Sequence, residues 1–256
     1  MAKTILELID ATVTVNQGTA EEKTILNQVN LTISEGDFIT VLGSNGAGKS
    51  TLFNVIAGTL MLTSGQILLN GEDINKMDET ARTSFLARVF QDPKLGTAPR
   101  MTVAENLLLA ERRGLTRRLK NRGLSAAKQA EFAAVAATMG NGLDTRLDMA
   151  TGDLSGGQRQ ALSFLMATRR RPKLLLLDEH TAALDPKTSE QLMAVTDQRI
   201  KEDKLTALMI THHLEDAIRY GNRLLIMNDG QITLDVTGQD KAQLTIPDLL
   251  NYFHIY

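Results

Sequence analysis

Residues Gly43-Ser44-Asn45-Gly46-Ala47-Gly48-Lys49-Ser50-Thr51 fit the spacing G-x-x-x-x-G-K-[ST]. The apolar run Asp37-Phe38-Ile39-Thr40-Val41-Leu42 before them reads as a strand, and Lys49 to Ala57 reads as a helix stopped near Gly58. Strand, glycine-rich loop and helix in that order commit this part of the chain to one geometry, a turn whose backbone amides wrap phosphate oxygens. Glycines at 46 and 48 allow the turn and the close approach. The start of the helix adds the positive end of its dipole. In that setting Lys49 supplies a point charge to the β- and γ-phosphates, and Ser50 offers a hydroxyl to Mg2+.

About 110 residues later comes a second glycine motif, Leu154-Ser155-Gly156-Gly157-Gln158. It reads as another helix start suited to an anion, through the Ser155 hydroxyl and the unsatisfied amides of the first turn. The four leucines Leu174 to Leu177 then lead into Asp178-Glu179. A carboxylate at the end of such a strand can hold a metal through water, and the next one can orient or deprotonate an attacking water. Together the motifs imply hydrolysis of a nucleoside triphosphate. One phosphate gripped by two helix starts is over-provided within a single chain.

The 256 residues and 43% hydrophobic content suffice for one large α/β domain, or for a domain carrying a subdomain. A net charge of −2 with dispersed Lys and Arg gives no field to recruit nucleic acid. The absence of cysteine excludes disulfides and thiolate metal sites. The start, Met1 to Glu7, lacks a long apolar h-region, so no secretory signal is expected. No uninterrupted apolar run approaches the roughly 18 residues of a membrane helix; if the protein works at a membrane, another chain must cross it.

Strand-like runs open the chain, at Ile5 to Ile9, Ala11 to Val15 and Thr24 to Ile33. A short helix and the strand Arg88-Val89-Phe90-Gln91 occupy 77–91, and Thr102 to about Met139 is Ala-, Leu- and Glu-rich and helical. The pattern resumes with a helix from Gly156 to about Arg169, the strand 173–177, a helix over 188–202, and strands at Leu205 to Thr211 and Arg223 to Met227 before the turn Asn228-Asp229-Gly230. Such alternation argues for a mostly parallel sheet with helices on its faces.

Over about residues 5 to 235 these motifs resemble the ATPase subunit of ABC transporters. The resemblance implies an α/β P-loop NTPase core with an N-terminal antiparallel β subdomain and an inserted helical subdomain. Core would take about 1–91 and 153–240, the helical insertion about 92–152, and a C-terminal tail 241–256. It implies ATP and Mg2+ as cofactors, with Ser50, Gln91 and Asp178 serving the metal. Glu179, Gln91 and His212 would act in hydrolysis, Gln91 as the glutamine that also signals to a permease and His212 as the histidine at the γ-phosphate. Asp185 would communicate across a head-to-tail homodimer in which Ser155 to Gln158 close over the other chain's ATP. Further partners would be integral membrane permease subunits and, indirectly, an extracytoplasmic substrate-binding protein, with no nucleic acid. The chain would sit on the cytoplasmic face of the plasma membrane.

Several positions depart from the family pattern. Val15 stands where an adenine-stacking aromatic is usual, leaving only an apolar contact. His180 replaces the proline that normally follows Asp178-Glu179, where a tolerated loop substitution is the simpler reading, and Met166 stands where many relatives have arginine. The last two resemble bacterial tryptophan/tyrosine uptake systems, and so point to amino-acid import. Import of another solute, export, vitamin uptake and a soluble mechanical ATPase are the alternatives. Between Glu111 and Lys128 lie seven basic residues, Arg112, Arg113, Arg117, Arg118, Lys120, Arg122 and Lys128. They form either a solvated face or a surface for anionic headgroups or an acidic permease loop.

Overall fold

The computed structural model describes residues 3–115 and 124–253. They divide into two compact units, Met1–Arg82 with Lys204–Tyr256, and Thr83–Asp203.

The first unit begins with strands β1 (Thr4–Val15) and β2 (Lys23–Ser34), followed by β3 (Phe38–Gly43), helix α1 (Lys49–Ala57), β4 (Ser64–Leu69), β5 (Glu72–Asp73) and the short α2 (Glu79–Arg82). Strand β1 pairs antiparallel with β2 on one side and β4 on the other, and β5 extends β4. The two apolar runs expected near the N-terminus are one strand. Its register shifts between Leu8 and Ala11, where Asp10 adopts φ 48 and exchanges hydrogen bonds with Asn30. This bulge lets one strand serve both patterns.

The second unit contains β6 (Leu86–Val89), α3 (Val103–Glu111), α4 (Ala126–Ala137), α5 (Gly156–Thr168), β7 (Leu174–Asp178) and α6 (Pro186–Glu202). Strands β6 and β7 pair in parallel, Val89 opposite Leu177. Local chemistry sets the helix starts. Thr102 with Glu105 and Ser155 with Gln158 form reciprocal capping boxes, while Asp185 Oδ1 accepts from Thr188 N at 3.1 Å with Pro186 beside it. Residues 92–152, expected as a helical insertion, fall within the unit Thr83–Asp203, which also contains β6, β7 and α6.

The chain returns to the first unit through β8 (Ala207–Ile210), α7 (Leu214–Arg219), β9 (Arg223–Asn228), β10 (Gln231–Thr237), α8 (Gly238–Ala242) and α9 (Ile246–Tyr252). Here β3 lies between β8 and β9, parallel to both, and is buried almost throughout, as a central parallel strand must be. The turn into β10 uses Asp229 at φ 44 and Gly230 at φ 76, two left-handed residues as a tight hairpin requires. In the stretch expected as a C-terminal tail, 241–256, residues 246–252 form α9, whose Leu249 is buried with Leu42, Ala217, Leu224 and Ile226.

Candidate functional site

In the first unit the loop Gly43–Gly48 leaves the carboxyl end of β3 and enters α1. Two of its glycines are required by close approach. A Cβ on Gly43 would lie 2.5 Å from the Met227 carbonyl of β9, and one on Gly48, at φ 98, would lie 2.9 Å from the Ile25 carbonyl of β2. Gly48 is the N-cap of α1; it provides no side-chain cap, and the first turn carries no acid. The first helical bond in this turn runs from Leu52 N to Gly48 O, so the amides of Lys49, Ser50 and Thr51 precede the i→i−4 ladder. Lys49 is 7% exposed and reaches back along the loop, its Nζ donating to Gly43 O at 2.7 Å and Ser44 O at 3.0 Å. Ser44, Asn45, Gly46 and Ser50 are exposed, Ala47 is buried and Thr51 is half-buried. Parallel pairing of Val41 with Ile210 puts His212, two residues beyond β8, at the strand end that also launches the loop. Such carboxyl ends are where open α/β sheets bind ligands. His212 is exposed, with its ring centroid 4.1 Å from that of His213. Val15, at the end of β1 opposite Lys23, is half-buried.

The second unit repeats the arrangement with different chemistry. Because Val89 faces Leu177, Gln91 and Glu179 each follow two residues past a paired couple. Gln91 Nε2 donates to Glu179 Oε2 at 3.4 Å. Glu179 adopts φ 44, an uncommon conformation for a side-chain-bearing residue, and its carbonyl accepts from Ala182 N at 3.0 Å. Strain of this kind gathers at functional sites. Asp178, half-buried at the end of β7, pairs through Oδ2 with Arg88 Nη2 at 2.5 Å. Arg88 carried no assignment in the sequence. Its signal was a charged side chain inside the apolar run Leu86 to Phe90, which needs a partner when buried.

At the start of α5 the Ser155 hydroxyl accepts from Gln158 N at 3.3 Å, and Gln158 Oε1 accepts from Ser155 N at 3.4 Å. Gln158 is 9% exposed and also donates Nε2 to Asn141 O at 3.0 Å. Its amide is thus committed within the unit, and the exposed part of this motif is Ser155 and Gly156. Asp185 is exposed, and its hydrogen bonds with Thr188 hold its carboxyl below the usual range.

His180 is not a loop substitution at the surface. It is 2% exposed, with Nε2 3.4 Å from Thr196 Oγ1 of α6, and burial pushes its pKa down to about 4. Of the basic stretch, Arg112 is exposed, whereas Arg113 donates to Ala167 O and Arg170 O. Lys128 bridges Glu111 and Glu131, which also pair with Arg169. Arg117, Arg118, Lys120 and Arg122 lie outside the described residues.

Residues 26–182 match the family profile described as ABC transporter. This chain belongs to the ABC transporter family. It is an ATP-binding subunit, an ATPase coupled to transport. The ABC ATPase is 44% identical to the tyrosine transport ATP-binding protein of Clostridioides difficile (strain R20291), over 91% of this chain and 92% of that one. It is 37% identical to the thiamine import ATP-binding protein ThiQ of Escherichia coli (strain K12), over 79% and 82%. A solved ATP-binding cassette in a dimeric post-hydrolysis state, bound to ADP and Pi, superposes with a TM-score of 0.77 at 26% identity, covering 91% of this chain and 98% of that one.

The residues suit ATP and its metal. An α1 start with no side-chain cap and no first-turn acid suits phosphate oxygens at its first-turn amides. Ser50, Gln91 and Asp178 offer hydroxyl, amide and carboxylate oxygens, the hard donors Mg2+ prefers. Among the described residues no cluster of three His, Asp or Glu could hold an ion alone. Among the described residues no helix is long and apolar enough to cross a membrane.

Proposed function

We propose that this ABC ATPase energises a bacterial importer of amino acids, of the tyrosine or tryptophan type, from the cytoplasmic face of the membrane. The observation that carries the reading is the 44% identity with a tyrosine transport ATP-binding protein across nine-tenths of both chains. His180 and Met166, two of the departures noted in the sequence, add support.

In this reading Gly43 to Thr51 wrap the phosphates of ATP, with the Lys49 charge on the β- and γ-groups. Val15 offers the base an apolar surface. When bound, Mg2+ would supply charge neutralisation on the phosphate oxygens. Ser50, Gln91 and Asp178 would hold it, and Glu179 would orient the attacking water and take its proton. The Gln91 amide at 3.4 Å fixes one oxygen of that base. His212 meets the γ-phosphate. Ser155, Gly156 and Gly157 close over the ATP of a second copy in a head-to-tail homodimer, aided by Asp185 and with Gln158 holding the motif in shape. Closure favoured by ATP and reversed by hydrolysis is a population shift set by differential affinity. That shift moves separate permease subunits, and an extracytoplasmic receptor delivers the solute.

Thermal-shift screening of the receptor encoded with this ATPase tests the substrate. Stabilisation by tyrosine or tryptophan is expected. A receptor that responds to thiamine and to neither amino acid would replace this reading with the vitamin-uptake alternative, which the 37% identity to ThiQ favours.

A further inference from the structure

Arg88 stands in the middle of β6, and its Cα partner across the parallel pair is Leu176. Two residues on, Asp178 points from the same face of β7, because side chains alternate along a strand. The long arginine spans that offset. Its Nη2 lies 2.5 Å from Asp178 Oδ2, and the two side chains are 11% and 15% exposed. The ring of Phe90, two residues on from Arg88, lies against the guanidinium, its centroid 4.8 Å from the Arg88 Cζ. A planar guanidinium braced by an aromatic ring is a stiff support for a carboxylate.

We infer that Arg88 is a positioning residue for the metal-serving carboxylate: by holding Oδ2, it fixes the plane of Asp178 and so presents the carboxylate to Mg2+ in one orientation. This rests on the assignment of Asp178 to the metal in the proposed function. Groups that orient a ligand from behind typically change metal affinity by about 10-fold or more when removed. An ion pair that served only to stiffen the unit would change stability and leave the metal response alone.

The test is fluorescent-ATP binding by the purified protein, titrated with Mg2+ and repeated in EDTA, for wild type, Arg88→Met and Arg88→Lys. Arg88→Met is expected to raise the Mg2+ concentration for half-maximal binding about 10-fold and to leave binding in EDTA unchanged. Arg88→Lys, which keeps the charge and loses the fork, should fall between them, and it carries the test if the Met variant is too unstable to assay. In an Asp178→Asn background, Arg88→Met should add nothing to the Mg2+ requirement. An unchanged Mg2+ requirement, an equal loss in EDTA, or a shift to lower Mg2+ (a guanidinium competing with the metal) would overturn the inference. A wild type whose binding ignores Mg2+ would remove the metal role of Asp178 itself, and this inference with it.

Discussion

Gln91 and Glu179 are 88 positions apart in the chain, and an amide nitrogen of one lies 3.4 Å from a carboxylate oxygen of the other. Parallel pairing of β6 with β7 puts them there, each two residues past Val89 and Leu177. With Glu179 as the proposed base, a neutral amide donor would steady the carboxylate without neutralising it. Replacing Glu179 by Gln keeps the shape and removes the proton acceptor. Turnover should fall by about 10²–10⁴-fold while ATP affinity is retained. Steady-state ATPase assays beside equilibrium nucleotide binding check this. Turnover within a few-fold of wild type would mean that the base is another group.

In the proposed function Val15 meets the nucleotide base, and it offers no ring to stack on. Val15→Tyr should tighten ATP binding by about 0.5–1.5 kcal/mol, the usual value of an aromatic contact beyond its area, and should widen the preference for ATP over GTP. Competition binding with both nucleotides reads the change. Identical affinities for wild type and variant would place the base elsewhere.

Arg82 is 1% exposed, and burial lowers its pKa. Its guanidinium donates to Val55 O at 2.7 Å and Ile56 O at 2.9 Å at the end of α1, and to Ile74 O at 2.8 Å and Met77 O at 2.9 Å. It joins the carbonyl end of the phosphate-loop helix to the segment before α2. Arg82→Leu strands those carbonyls in the interior and should cost on the order of 3–5 kcal/mol. Urea denaturation measures it; a loss under 1 kcal/mol would show that water replaces the guanidinium.

His180 makes stability depend on pH. Its folded pKa of about 4 lies below the ordinary 6.5 because burial disfavours the imidazolium. The unfolded chain therefore binds more protons between those values, so acid favours unfolding. Full stability is present above about pH 6.5, and about 3 kcal/mol of it is lost as pH falls to 4. His180→Gln should flatten that limb of a melting-temperature profile. A variant with the same acid slope as wild type would assign the slope to other groups.

The sequence alone determined the local chemistry of this protein. The bounds of α1, the stops at Gly58 and Gly230, and the helix start at Ser155 rest on backbone conformation and on hydrogen bonds between near neighbours. Residue type and spacing record these directly. The phosphate loop, the Asp178-Glu179 pair and the ABC resemblance were legible for the same reason.

What tertiary structure decided is everything that depends on which faces meet. Arg88 reaches Asp178 only because β6 and β7 pair in one register, and a slip of one residue would turn it to the opposite face. His180 lies in the loop after β7, as the sequence suggested, but it is buried there beside Thr196 of α6. Arg82 and Lys241 drew no reading from the sequence, and they are 1% and 3% exposed and donate to backbone carbonyls at Val55 and Gly221. Burial is a property of the assembled neighbours, and a carbonyl left at a helix end has no signature in the side chain that will one day cap it.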